Sequence, residues 1–222
     1  NPNAELTGEN GPGISNAQNM EVGLRSMPIP GLMLDASLFR IDFNDKVEQI
    51  QVNIVDVQRI NTGNSRHQGI EFSAEYDFFH QQDDSSSFIA FVNGSLLDAQ
   101  ITQSTNSLLV GNTPGFAPDY LLRAGIMYNK QSLKIALTAT LVDEQFWQDS
   151  NLARGAGVNQ INAKIPSYEV VDLSTEYQIN QSWSIQAGIN NLLDEDYYSR
   201  VRNDGIEPAA ERSVYFGFKY QM

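Results

Sequence analysis

An all-β fold forming part of a membrane-spanning barrel wall is what this 222-residue chain predicts, and three observations predict it. Apolar and polar residues alternate along about nine stretches, the links between them alternate short and long, and aromatic residues gather beside the short links. Period two puts successive side chains on opposite faces, so one face suits hydrocarbon and the other a wet lumen. The final stretch, Glu211 to Met222, is the plainest case. Val214, Phe216, Phe218, Tyr220 and Met222 share one face, and Ser213, Tyr215, Gly217, Lys219 and Gln221 the other.

Taken in order, the first stretch lies near Asn19 to Met27 and turns at Met27-Pro28-Ile29-Pro30-Gly31. The second, Leu32 to Phe43, alternates less cleanly, which suggests a bulge or phase change; a long link follows from about Val47 to Gln58. In the third, Ile70, Phe72, Ala74, Tyr76 and Phe78 oppose Glu71, Ser73, Glu75 and Asp77, before a polar link at His80 to Ser87. Phe88 to Leu97 is the fourth and again less regular; Ile101 to Pro118 is a long link, and a fifth strand follows Pro118. After a short link at Asn129 to Ser132, Leu133, Ile135, Leu137, Ala139 and Leu141 oppose Lys134, Ala136, Thr138 and Thr140. A long link, Asp143 to Pro166, precedes Val171 to Tyr177; a short one, Asn180 to Ser182, precedes Trp183 to Asn190. The last long link, Leu192 to Arg212, leads to the closing strand. Tyr76, Phe78, Phe79, Tyr128, Tyr177, Trp183 and Tyr220 all fall at the short-link rim, as an interfacial girdle requires.

The count matters. Single-chain bacterial barrels have an even number of strands with both termini at the short-turn side, so an odd set reads as the C-terminal part of a larger barrel. Composition agrees with a β wall. Hydrophobic residues make up 41% and no apolar run nears the roughly 20 residues of a spanning helix. A mean hydropathy of -0.34 is compatible with strands that hide their apolar face by alternation. A net charge of -13, from 27 acidic and 14 basic residues, excludes a phosphate-neutralising nucleic-acid surface. There is no cysteine, hence no disulfide framework or thiolate metal site. The first residues, NPNAELTGENGPGISNAQN, lack the basic and apolar regions of an export leader.

Several segments resemble the C-terminal barrel region of TonB-dependent outer-membrane receptors. They are Asn1-Pro2-Asn3 with Asn19 to Arg25, Asn61-Thr62-Gly63 through Arg66-His67-Gln68-Gly69-Ile70-Glu71, Pro118 and the strand after it, and Pro166-Ser167-Tyr168 with Asp172-Leu173. The longest is Gly188 to Tyr198, then Pro208, Arg212 and the last strand. The chain departs at Met222, where the family usually ends in Phe. The resemblance implies a barrel of roughly 22 strands with an N-terminal plug, of which this chain supplies about nine strands and neither the plug nor the segment that meets the energy-transducing TonB complex. Ile41 to Asp45, Arg66-His67, Gly111 to Pro118 and Gln145-Phe146-Trp147 are similar to receptors of the ferric-citrate type.

No hydrolytic or redox constellation stands out, so no catalytic residue and no cofactor are assigned. An anionic ferric chelate needs donors of fixed geometry, best met by arginine. Long-link residues of that kind are Arg154, Arg200 and Arg202, with Arg59 and Arg66 lower in a strand. The resemblance to ferric-citrate receptors adds Gln51 or Asn53 and Asn203 as ligand contacts. His67 reads as a structural rim residue more readily than as a ligand contact. Asp194-Glu195-Asp196, near Asp204 and Glu207, reads as a cation site or, better, as a structural motif. Phe146, Trp147, Tyr197 and Tyr198 either line the mouth or pack loop on loop, with packing favoured for the two tyrosines. The expected partners are a ferric chelate, outer-membrane lipid and, through the absent plug, the TonB complex. A passive or structural outer-membrane barrel and a soluble all-β module are the competing readings.

Overall fold

The computed structural model describes residues 12–51, 57–80, 86–152, 164–202 and 205–221, with the side chains of these apart from 48–51, 57–59 and 202. Thirteen strands follow in order: β1 (Asn16–Ile29), β2 (Leu32–Gln51), β3 (Val57–Asp77), β4 (Ser86–Ser104), β5 (Tyr120–Lys130), β6 (Leu133–Val142), β7 (Gln145–Phe146), β8 (Lys164–Ile165), β9 (Tyr168–Gln178), β10 (Trp183–Asn190), β11 (Tyr198–Arg202), β12 (Gly205–Pro208) and β13 (Ser213–Tyr220). Nine of them make one antiparallel meander in the order β1-β2-β3-β4-β5-β6-β9-β10-β13. The short pairs β7/β8 and β11/β12 are hairpin-like insertions in two of the long links.

The register settles the two faces. Trp183, Ile185, Ala187 and Ile189 pair with Tyr220, Phe218, Phe216 and Val214, and the same face continues through Leu173, Leu137, Ile126, Val92, Ala74 and Leu34. Among the described residues no layer covers this face: Val214, Phe216 and Phe218 are 75%, 63% and 67% exposed. The opposite face carries Lys219, Ser184, Glu176, Lys134, Asn129, Glu71, Glu75 and Asp35. On β6 the apolar set runs from Leu133 to Leu141, about 26 Å along the strand and roughly 20 Å along the membrane normal at a tilt near 40°. With side-chain reach, that matches an apolar band of about 25 Å.

Strands β2 and β4 owe their irregular sequence pattern to inward aromatics: Leu32–Phe43 pairs without a break with β3, as does Phe88–Leu96 with β5, and the one shift beside Leu32–Leu34 places its extra residue on β1. Inward Phe39 faces Gly69, Phe91 faces Gly125, and Tyr215 faces Gly188 across adjacent strands. A Cβ on each of these glycines would meet the facing ring at 3.0, 2.9 and 2.5 Å. The rings therefore lie flat over bare backbone and keep the inward face shallow, an aromatic-over-glycine device that also pins register. One register shift sits at the short-turn rim, between Ser26 and Ile29 of β1 opposite Leu34 and Leu32; the others sit higher, at Phe43 to Val47 in the β2–β3 ladder, where Asp45 has φ 56°, and at Asn64/Ser65 opposite β4.

At the short-turn rim, Gly31 adopts φ 81° after Pro30, which suits a tight turn. His80 packs where a Cβ on Gly31 would stand, and its Nδ1 donates to the Asp77 carbonyl at 2.8 Å, tying two neighbouring turns together. Of the rings expected there, Tyr76 meets Phe78 (4.8 Å), Phe79 meets Tyr128 (6.5 Å) and Trp183 meets Tyr220 (4.8 Å), and Phe88, not among those expected, also stands 6.5 Å from Tyr128. At the other rim, β2 and β3 keep pairing up to Gln51↔Val57, so most of the link expected from Val47 to Gln58 is ladder. The β-branched residues Val47, Ile50, Val57 and Ile60 sustain strand conformation above the band.

Candidate functional site

The long links converge on the rim opposite the aromatic girdle, where three of them lock together. Between β4 and β5, Asn106 caps a single 3-10 turn, Ser107–Leu109, by accepting from the Leu108 amide at 3.1 Å. The next stretch is clamped from the β6–β9 link. Asp149 Oδ1 accepts from the Gly115 amide at 2.8 Å, and Asn112 Nδ2 donates to the Asp149 carbonyl at 3.0 Å. Asn151, at φ 54°, pairs with both backbone groups of Thr113 at 3.0 and 2.8 Å. The Phe116 amide donates to the Phe146 carbonyl at 2.7 Å. Phe116 holds φ 60°, a costly conformation for a bulky side chain that persists because its neighbours are fixed on both sides. Lys46 reaches over from the β2 bulge to Asp149 Oδ2 at 3.2 Å, tying the β2–β3 ladder to the clamp.

A small core lies within the links themselves. Trp147, Ile165 and Val201 are 5%, 0% and 5% exposed, and Tyr198 packs on them. Trp147 and Tyr198 thus pack loop on loop, as does Tyr197, whose ring stacks on Tyr168 at 4.5 Å and 27°. Lys164 sits 4.9 Å from the centre of the Phe146 ring and pairs with Glu144. The hydrogen bond to Glu144 raises the Lys164 pKa above the usual lysine value, outweighing the opposing effect of burial.

The acidic motif after β10 closes on itself. Asn191, at φ 53° and 3% exposed, donates from Nδ2 to the Glu195 carbonyl and accepts from the Glu195 amide, both at 2.9 Å. Its own amide donates to Asp172 Oδ1 at 2.9 Å. Asp194 accepts from the Arg212 amide and guanidinium, each at 3.1 Å. These contacts favour the structural reading of the run over a cation site, and among the described residues no cluster of three or more His, Asp or Glu could hold a metal ion.

Below the rim, the inward face of β1 to β4 is rich in carboxylates. Glu21, Asp35, Glu71, Ser73 and Asn93 line a shallow hollow of about 400 Å³, with Arg25 held by Asp35 at 2.6 Å. Inward Arg123 on β5 stands between Asn93 and Thr140 with no ion pair among the described residues. An alternating wall with one uncovered apolar face, one polar face, and long links on one rim is built to stand in a membrane around a wet passage.

The model for the family described as TonB dependent receptor-like, beta-barrel, matches residues 7–192. The chain belongs to that TonB-dependent receptor family. Among solved structures, the ferric citrate transporter FecA in its unliganded form superposes with a TM-score of 0.75 at 22% identity, over 92% of this chain and 31% of that one. The ferric yersiniabactin uptake receptor FyuA from Yersinia pestis gives 0.71 at 18% identity, over 93% and 30%. The vitamin B12 transporter BtuB of Vibrio cholerae serotype O1 is 40% identical over 61 residues, 28% of this chain and 9% of that protein. This TonB-dependent receptor chain therefore spans under a third of the length of these relatives, and the two solved structures, each below 25% identity, establish the fold alone.

The expected ligand contacts on this receptor wall are placed unevenly. Arg200 lies on β11, 60% exposed in its side chain, 3.8 Å from Glu207. Arg202 ends β11 opposite Gly205, and Gln51 ends β2 opposite Val57; their side chains, like that of Arg59, are outside the described set. Arg154, Asn53 and Asn203 are outside the described residues, as is Asp204. The described geometry brings none of them together. Arg66 is corrected: it points to the apolar side of the wall and binds Asp42 at 3.1 Å, because its neighbour His67 faces inward. His67 is half-buried, edge-on to Phe43 at 5.2 Å and 3.2 Å from Ser65 Oγ, so it packs as a structural residue. Missed from the sequence were Arg123, the inward carboxylates and the Asp149 clamp. The parity of β5, with Leu122, Ala124 and Ile126 on one side, was signal enough for Arg123.

Proposed function

We propose that this chain is the C-terminal wall of an outer-membrane receptor that takes up a ferric chelate, ferric citrate first among candidates, with energy supplied through TonB. The carrying observation is the asymmetry of the wall: tight turns at the aromatic rim and, at the other, long links clamped through Asp149, Asn151 and Trp147. Such a rim holds a binding surface in place at little entropic cost to the ligand. The likeness in fold to FecA, a ferric citrate transporter, and FyuA, a ferric yersiniabactin uptake receptor, supports the chelate class. Arg154, Arg200 and Arg202 are proposed as the anion-binding donors, and Gln51, Asn53 and Asn203 as neutral donors. A plug from elsewhere in the protein closes the lumen, and the carboxylate-rich inward face of β1 to β4 suits a basic plug surface. The wall and loops bind and orient; they make or break no covalent bond.

The likeness of 61 residues to BtuB favours a second reading, cobalamin uptake. Titrating the receptor that carries this chain with ferric citrate, other ferric chelates and cobalamin separates the two. Saturable binding of ferric citrate, weakened by Arg200→Ala, supports the proposal; binding of cobalamin in its place overturns it. Deleting the plug-encoding segment separates active uptake from a passive barrel, since only an energised receptor then loses accumulation against a gradient.

A further inference from the structure

The uncovered face of β2 and β3 changes character at one height. Climbing β2 from the short-turn rim, Leu32, Leu34, Ala36 and Leu38 face lipid, and the next two outward positions are Arg40 and Asp42. On β3 the outward order is Tyr76, Ala74, Phe72, Ile70, then Gln68 and Arg66, and the register sets Arg40 beside Gln68 and Asp42 beside Arg66. From Leu32 to Arg40 is about 26 Å along the strand, roughly 20 Å along the normal, so the polar group begins where an apolar band of about 25 Å ends.

At that height two guanidiniums share one carboxylate. Arg40 donates to Asp42 through Nε at 2.8 Å and Nη2 at 3.3 Å, and Arg66 through Nε at 3.1 Å. One carboxylate balances one of the two cations, and the remaining terminal N–H groups have no further acceptor among the described residues. Outward Asp98 on β4 accepts from Gln68 at 3.0 Å. The two arginine side chains are 45% and 40% exposed. Directly below, on the same face, Val22, Leu24 and Leu38 are 68%, 72% and 56% exposed.

A planar cation fork above an apolar ledge complements an amphiphile whose phosphate sits above its chains. At this level of a bilayer the available anions are lipid headgroups. We propose that Arg40 and Arg66 form a docking surface for the phosphate of a lipid headgroup in the leaflet at the long-link rim. Asp42 orients both guanidiniums, and Val22, Leu24 and Leu38 receive the acyl chains. The inference rests on the barrel reading but not on the chelate, so its test is run without one.

The receptor carrying this chain is placed in phosphatidylcholine nanodiscs doped with the phosphorylated glycolipid lipid A, and co-purifying lipid A is measured by mass spectrometry. Arg40→Gln and Arg66→Gln each lower retention roughly fivefold, the value of one interfacial cation. Asp42→Asn leaves retention unchanged or raises it, and Lys219→Gln on the inward face leaves it unchanged. Arg40→Lys with Arg66→Lys, which keeps charge and loses the fork, falls between; it also serves if the Gln variants do not fold. Undiminished retention in the Gln or, failing those, Lys variants overturns the proposal. So does an equal loss in Asp42→Asn or Lys219→Gln, or displacement by millimolar inorganic phosphate. A receptor that fails to bind ferric citrate and yet passes this test loses the chelate reading alone.

Discussion

Asn191 holds the link between β10 and β13 closed, and replacing it tests that role with graded variants. Its side chain makes two good hydrogen bonds to the Glu195 backbone at 2.9 Å, plus a marginal one to the Ala210 carbonyl at 3.5 Å. At about 1 kcal/mol for each good bond, Asn191→Gly costs about 2 kcal/mol of local closure. Asn191→Ala adds a left-handed penalty at φ 53° of about 1 kcal/mol, for about 3 in all. The reporter is hydrogen exchange at the Leu192 amide, which donates to the Val171 carbonyl at 2.6 Å and is untouched by the substitution. Since about 1.4 kcal/mol is tenfold, exchange accelerates roughly 30-fold in the Gly variant and roughly 100-fold in the Ala variant. Exchange in Asn191→Ala within threefold of the parent, or slower than in Asn191→Gly, would refute the assignment.

Three further outcomes follow from the same geometry. Gly125→Val places a Cβ 2.5 Å from the Leu137 carbonyl oxygen and 2.9 Å from the Phe91 ring, so urea unfolding in vesicles shows a loss of about 1–3 kcal/mol; an unchanged midpoint contradicts ring-over-glycine packing. Asp149→Ala frees the Gly115 amide and breaks the Lys46 pair, so proteolysis within residues 111–118 accelerates while barrel unfolding is unmoved; equal cleavage means that the clamp does not hold the loop. Arg200→Ala removes an exposed, loosely paired cation, and stability stays within about 0.5 kcal/mol while ferric citrate affinity drops about tenfold for one lost charge-assisted contact. Unchanged affinity in a folded variant removes Arg200 from the site.

The wall was legible because its signal is local. Alternation along Leu133–Leu141 and Ser213–Tyr220 reports the two faces directly, and short turns such as Pro30-Gly31 report which strands are neighbours. Where the reading slipped, an opposing demand was at work. Phe39 and Phe91 broke the alternation of β2 and β4 because facing glycines let a ring lie inward, a relation visible only once register is known. The β2–β3 link was drawn too long because polar residues such as Glu48 and Gln49 continue a ladder above the band, where neither face meets hydrocarbon. The rim was least legible. Asp149 and Gly115, or Trp147 and Val201, are far apart in sequence and meet through irregular backbone, for which no periodicity exists. Arg66 is a different case: Ile70 and Phe72 read as one apolar face, and period two carries that face on to Gln68 and Arg66.

The most direct test of the account is cysteine scanning of β6 in the membrane, made clean by a chain with no native cysteine. Single cysteines at Ile135, Ala136, Leu137, Thr138, Ala139 and Thr140 are probed with a membrane-impermeant thiol reagent and with a lipid-borne quencher of an attached fluorophore. The account predicts a strict period of two. Positions 136, 138 and 140 react with the aqueous reagent, and 135, 137 and 139 are quenched by lipid. Uniform reactivity along the strand, or quenching at the even positions, would contradict a wall between lipid and lumen.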